Sequence, residues 1–278
     1  MTADGSPPTP GNQPGGPTAD ELGGPAGGTP DELPDGLAAA LAAFPRDGLV
    51  ALDFDGVLAP IVAVPSAAAM PPVTRTALER LAAGRPAGVA LVSGRALADL
   101  TAVARPPAGT LLVGSHGAEV AGAPSPLDAA ARELLATVTD EVRAVVEAHL
   151  GTTVETKPAG VVLHTRTADR AVAAAAAAAV LAGPATRPGV RTTRGKEVVE
   201  LSVVDVDKGR ALLALREELQ VPAVLYAGDD VTDEHAFEVL DDDAGDVTVK
   251  VGEGRTAARW RVDGPDAVPA LLAAITRG

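Results

Sequence analysis

Acidic, hydroxyl and ammonium side chains recur at a few points of this 278-residue chain, each just after a short apolar run. Asp53 and Asp55 flank Phe54 and precede Gly56. In extended chain, acids two positions apart share a face, so this pair can act on one ligand. Asp-Gly is equally a common way to turn out of a strand. Ser93-Gly94-Arg95 follows Val89–Val92, where a serine can bind an oxyanion or cap a helix. Gly228-Asp229-Asp230-Val231-Thr232-Asp233-Glu234 places four carboxylates within six residues. A solvated loop accounts for one or two of these. Gathering the rest at one crevice demands a cation, and oxygen-only donors suit Mg²⁺ better than zinc. Lys208 opens a predicted helix, where the dipole disfavours positive charge. The chain uses 19 Arg against 4 Lys (157, 196, 208 and 250), which gives each lysine weight, since an ammonium beside carboxylates can hold a phosphoryl group.

Alternating apolar runs and helical stretches from Leu37 onward predict βαβ units around a mostly parallel sheet, the Rossmann-like form of an α/β fold. Strands are expected at 49–54, 89–92, 110–113, 223–226 and 247–251, with helices at 73–83, from 96, 208–219 and from 266. Ligands of such sheets bind beyond the carboxyl ends of the strands, where the acids fall. Between Pro124 and Asp205 the rhythm changes to a long helix (127–150), a strand pair (154–165), an Ala-rich helix (168–181) and further strands (190–203). We expect residues 37–122 and 204–278 to form one domain and 123–203 to be an inserted α/β domain.

Asp53-Phe54-Asp55-Gly56-Val57-Leu58, Ser93, Lys208 and Gly228-Asp229-Asp230 resemble, in order, the four motifs of the haloacid dehalogenase (HAD) superfamily of aspartate-nucleophile phosphatases. The insert resembles their C2B-type cap. Further strings narrow the likeness to the trehalose-6-phosphate phosphatase family: Gly114-Ser115-His116-Gly117-Ala118-Glu119, Glu155-Thr156-Lys157, Leu163-His164-Thr165-Arg166, Gly195-Lys196 leading to Val199-Glu200-Leu201, and Val251-Gly252-Glu253-Gly254. Val57, Thr165 and His235 depart from the common pattern without removing a catalytic group. The resemblance implies Asp53 as nucleophile, Asp55 as acid and base, and Ser93, Gly94 and Lys208 as phosphate binders. It also implies Mg²⁺ on Asp53, Asp229 and the Asp55 carbonyl, Asp230 and Asp233 acting behind those ligands, and a sugar phosphate, trehalose 6-phosphate, as substrate. Glu119, Glu155, Lys157, Arg166, Lys196 and Glu200 would contact the sugar. His116 is expected to make a structural hydrogen bond, and Arg95 to be solvated. Sucrose phosphate or another hexose phosphate keeps the same chemistry, and a receiver-like phosphoacceptor module is the reading without catalysis.

Composition narrows the classes further. A net charge of −14 and only five aromatic residues leave neither a basic footprint nor a stacking platform for nucleic acid. No cysteine is present for disulfide, thiolate or nucleophile. Residues 1–36 read as a disordered Pro/Gly-rich acidic tail, with no signal-peptide pattern and no membrane span anywhere. A monomer in the cytoplasm is the expectation.

Overall fold

The computed structural model describes residues 33–85, 87–124 and 127–277. The tail expected at 1–36 lies, up to residue 32, outside them. Elements run α1 (Asp35–Ala43), β1 (Leu49–Leu52), α2 (Pro72–Gly84), β2 (Val89–Val92), α3 (Leu97–Ala104), β3 (Leu111–Gly114), β4 (Glu119–Val120), α4 (Ala129–Ala148), β5 (Thr153–Lys157) and β6 (Gly160–His164). They continue with α5 (Arg170–Ala182), β7 (Arg191–Gly195), β8 (Val198–Ser202), α6 (Lys208–Leu219), β9 (Val224–Gly228), α7 (Glu234–Val239), β10 (Val247–Val251), β11 (Trp260–Val262) and α8 (Val268–Arg277).

One sheet has the order β11-β10-β9-β1-β2-β3-β4 and is parallel except for the antiparallel edge strand β4. Its central strands are buried along their whole length, as expected of strands covered on both faces. Successive residues divide between two layers. Val50 and Leu52 face Leu37 and Leu41 of α1, Leu78 and Leu81 of α2 and Leu271 of α8, while Leu49, Ala51 and Tyr226 face Leu212 and Leu215 of α6 and Phe237 of α7. Helix α1 starts inside the segment expected to be tail, and its buried Leu37 and Leu41 explain why. Strands β4 and β11, of two and three residues, escape prediction because so short a run carries no alternation.

The second sheet, β5-β6-β8-β7, is antiparallel throughout. Val161, Leu163, Val199 and Leu201 pack on Val138 and Val142 of α4 and Ala176 and Val180 of α5. The opposite face is set by register. Glu155, Val162, Glu200 and Thr193 form one row across it, and Lys157, Gly160, Ser202 and Arg191 the next. Among the described residues no helix is long and apolar enough to cross a membrane.

Helix α6 crosses α7 so closely that a Cβ on Gly209 would lie 2.3 Å from the His235 carbonyl oxygen. Gly→Ala normally stabilises a helix by about 1 kcal/mol. Here overpacking outweighs propensity, so Gly209→Ala should lower stability by about 1–3 kcal/mol in urea unfolding. A stabilised variant would contradict this packing.

Candidate active site

Three adjacent strands and one helix deliver the polar residues to a single edge. β1 is followed by Asp53, β2 by Ser93 and β9 by Asp229, and α6 begins with Lys208. Strand β1 is flanked by β2 and β9, so the crevice lies at the centre of the sheet, where the chain order changes direction.

Lys208 is 1% exposed. Its Nζ donates to Asp53 Oδ2 at 2.8 Å and to Asp233 Oδ1 at 2.6 Å. Burial opposes its charge, but the two carboxylates outweigh burial and hold its pKa above the ordinary lysine value. Asp233, fully buried, also accepts from Tyr226 Oη at 2.6 Å and from the amides of Asp229 and Asp230, both at 2.9 Å. Four donors thus occupy its two oxygens, and Asp233 becomes the hub that fixes the lysine, the tyrosine and the acidic loop together. Asp230 is exposed and starts that loop's helical turn, its carboxylate accepting from the Val231 amide.

Asp53, Asp229 and Asp233 bring carboxylate oxygens within 4.8 Å of one another. Burial, the Asp233 charge and the Asp230 charge push Asp229 up to about 7. Burial, with Asp233 adding to it against the pull of Lys208, raises Asp53 well above the usual carboxylate range. Asp229's carboxylate accepts no hydrogen bond among the described residues. A Cβ on Gly56, whose φ is +78°, would sit 2.0 Å from its Oδ2, so only glycine lets β1's turn approach it. An all-oxygen donor set, an unneutralised negative charge and a free carboxylate fit a hard divalent cation. Since the oxygens of Asp233 are already taken, Asp53 and Asp229 are the side chains with capacity to ligate.

Two arrangements differ from the expectations. Arg95 is not solvated: its side chain is 10% exposed, and its Nε and Nη2 grip Asp55 Oδ2 and Oδ1 at 2.6 and 2.7 Å. The same guanidinium reaches Asp99 at 2.6 Å and lies 5.7 Å from the Phe54 ring centre. His116 makes no structural hydrogen bond through its side chain. Its Nδ1 is buried without a partner, and burial together with Lys208 and Lys157 pushes its pKa down to about 3.

Ser93 is buried at its strand end, its Oγ accepting from the Arg95 amide at 3.2 Å. Lys157 of β5 spans the gap between the sheets, donating to the Gly94 carbonyl at 3.1 Å and to Glu200 at 2.8 Å. Glu155 is exposed and paired with His164 at 2.8 Å. The other residues expected to meet the sugar are held elsewhere. Glu119 accepts from Ser115 Oγ and from the amide of Leu97 at the start of α3. Arg166 is exposed against Glu197, and Lys196 is exposed in the turn between β7 and β8. Lys250, the fourth lysine, is buried on β10 opposite Gly228 and donates to the Asp229 carbonyl, bracing the acidic loop from behind. Its rarity as a lysine was the only sequence signal for that role. Tyr226 carried none.

The chain is similar to a known family over most of its length. A family model described as trehalose-phosphatase matches residues 51–266. The trehalose-phosphate phosphatase of Mycobacterium bovis (strain BCG / Pasteur 1173P2) is 39% identical over 254 residues, 84% of this chain and 63% of that protein. That of Mycobacterium ulcerans is 37% identical over 255 residues, with the same coverage. The chain therefore spans less than two thirds of the length of these curated relatives. Among solved structures, the C-terminal domain of Candida albicans trehalose-6-phosphate phosphatase superposes with a TM-score of 0.70 at 23% identity, covering 87% of this chain and 95% of that one. Aspergillus fumigatus trehalose-6-phosphate phosphatase gives 0.62 at 26% identity, covering 87% and 96%. A haloacid dehalogenase-like hydrolase from Bacteroides thetaiotaomicron, at 0.62 and 17% identity, shares the fold, covering 83% of this chain and 98% of that one.

Tyr226→Phe deletes one of the four donors to Asp233 and nothing else of similar size. Stability should fall by about 1–3 kcal/mol, read from the shift in the urea midpoint, because a buried carboxylate loses a partner. An unchanged midpoint would mean that Asp233 does not depend on the tyrosine.

Proposed function

This chain belongs to the trehalose-phosphatase family, and from that premise we propose that it hydrolyses trehalose 6-phosphate to trehalose and phosphate, with Mg²⁺ as cofactor. The observation that carries the proposal is the shared lysine. Lys208 joins the expected nucleophile, Asp53, to a saturated carboxylate hub and lines one cavity with Glu200, the partner of Lys157.

In this reading Asp53 attacks phosphorus, with an aspartyl-phosphate as intermediate. Asp53, Asp229 and the Asp55 carbonyl would hold the cation, with Asp230 and Asp233 acting behind them. When bound, the ion supplies positive charge that offsets repulsion between the anionic nucleophile and the anionic ester. Lys208, Ser93 and the Gly94 main chain would bind the non-bridging oxygens as charge moves onto them, the type of stabilisation that counts most in phosphoryl transfer. Asp55, once released from Arg95 and protonated, would give a proton to the departing sugar oxygen and then take one from the water that splits the aspartyl-phosphate. Residues 37–122 and 204–278 form the catalytic core in this scheme, and 123–203 a cap. Two separate sheets, each with its own apolar cluster, support that division. Glu155, Lys157 and Glu200 are assigned to the sugar. Their register on one face supports this, whereas Glu119, Arg166 and Lys196 would need to leave the positions described above. The same reading puts the enzyme in the cytoplasm, an assignment that rests on composition.

Two measurements test the proposal. Asp53→Asn should reduce phosphate release from trehalose 6-phosphate at least about a thousandfold while the far-ultraviolet circular dichroism stays native, since an amide cannot serve as the nucleophile. Retained turnover would sink the nucleophile assignment. A metal chelator should abolish turnover and added Mg²⁺ restore it. Sucrose phosphate or glucose 6-phosphate turned over faster than trehalose 6-phosphate would move the assignment to another sugar, and a single round of phosphorylation without continuing release would favour a phosphoacceptor module.

A further inference from the structure

The geometry points to His116 as a specificity-determining group: we propose that its imidazole, on the core side, hydrogen-bonds a hydroxyl of the substrate's sugar together with Glu200 of the facing sheet. This rests on reading the site as that of a sugar-phosphate phosphatase.

His116 is held where it is at a cost. Ser115 and His116 both adopt left-handed backbone, with φ of 49° and 55°, directly after β3. Two successive non-glycine residues in that region signal strain, which persists only where the surroundings enforce it and which gathers at functional sites. Backbone bonds enforce it here: the Ser115 amide donates to the Arg95 carbonyl and the His116 amide to the Ser93 carbonyl. The loop that carries the imidazole is therefore tied to the segment expected to bind phosphate.

Sterics aim the ring. A Cβ on Gly94 would come within 2.5 Å of the imidazole, so the ring packs against a glycine whose own carbonyl receives Lys157. His116 lines a cavity of about 280 Å³. Ser115 and Lys208 belong to the core wall of that cavity, and Thr193 and Glu200 to the facing sheet. An alcohol joined to a phosphate on Lys208 must extend between those walls.

Among the described residues neither ring nitrogen has a hydrogen-bond partner. Nδ1 is buried and unpartnered, and Nε2 stands 3.8 Å from Glu200 Oε2, beyond hydrogen-bonding distance. Buried polar atoms are rarely left so. A hydroxyl both donates and accepts, and so can join an imidazole to a carboxylate spaced this way. Burial and the neighbouring Lys208 and Lys157 keep the ring uncharged, with Asp233 opposing them and His235 adding to them. A neutral ring offers one donor and one acceptor, which suits a sugar hydroxyl and leaves proton transfer to the aspartates. Glu200 is shared with Lys157, so one carboxylate would link the sugar, the imidazole and the contact between the two sheets.

The test compares His116→Ala, His116→Asn and His116→Gln on trehalose 6-phosphate and on p-nitrophenyl phosphate, which carries no sugar hydroxyl. Asn tolerates left-handed backbone, and Gln brings an amide to the Nε2 position. The ratio of kcat/KM for the sugar ester to that for the aryl ester should fall about tenfold or more in His116→Ala, mainly through KM. Gln should recover more of the ratio than Asn, and free trehalose should inhibit aryl-phosphate turnover more weakly in the Ala variant. Equal losses on both esters, or no loss on either, would overturn the inference while leaving the family reading intact. A wild-type enzyme that handles the sugar ester no better than the aryl ester would remove the reading on which the inference stands.

Discussion

One buried ammonium shared between two carboxylates governs the carboxyl edge of the central sheet. Lys208 stands at the start of α6, where the helix dipole disfavours it, and is removed from water. Both penalties are offset by Asp53 and Asp233, and removing either acid would leave a charge stranded in low dielectric. Asp233 can meet its part because four donors surround it. Asp53 and Asp229 are left with more negative charge than the protein neutralises, and this excess gives the crevice its appetite for a cation. The start of α6, the turn after β1 and the acidic loop after β9 are thus fixed by one electrostatic constraint.

Linear sequence conveys some of this directly. Buried parallel strands read as uninterrupted apolar runs, so β1, β2, β9 and β10 are visible without tertiary knowledge, and the polar residues just beyond them mark the carboxyl edge. Asp53, Ser93 and Asp229 are legible for that reason, and Lys208 through the scarcity of lysine in the chain. Partners made across the fold are not. Arg95 looks like a surface residue until β1 and β2 lie side by side and bring Asp55 to it. Tyr226 looks like core until the loop after β9 folds back over it. Glu119 and Lys196 show the converse: their motif strings match the family, yet one carboxylate is occupied by Ser115 and Leu97, and the other side chain projects from a hairpin turn.

The second sheet solves a different problem, presenting polar groups on one face while burying the other. Strict two-residue alternation in β6 and β8 places Val161, Leu163, Val199 and Leu201 under the helices and leaves Glu200 and Ser202 facing the core. Lys157 then reaches the Gly94 carbonyl, so a residue from the polar face touches the loop expected to bind phosphate. The two sheets meet at that glycine, where any larger residue would displace the His116 ring.

The scarcity of aromatic residues carries a practical corollary. The chain has one tyrosine and one tryptophan. The tyrosine hydroxyl is bonded to the carboxylate that steadies Lys208, while the tryptophan sits on β11 at the far margin of the sheet. Near-ultraviolet signals from the two chromophores therefore originate in separate regions of the fold. Phenol absorbance becomes a native optical probe of the buried lysine–carboxylate cluster, and indole emission an internal reference, in a protein that needs no label.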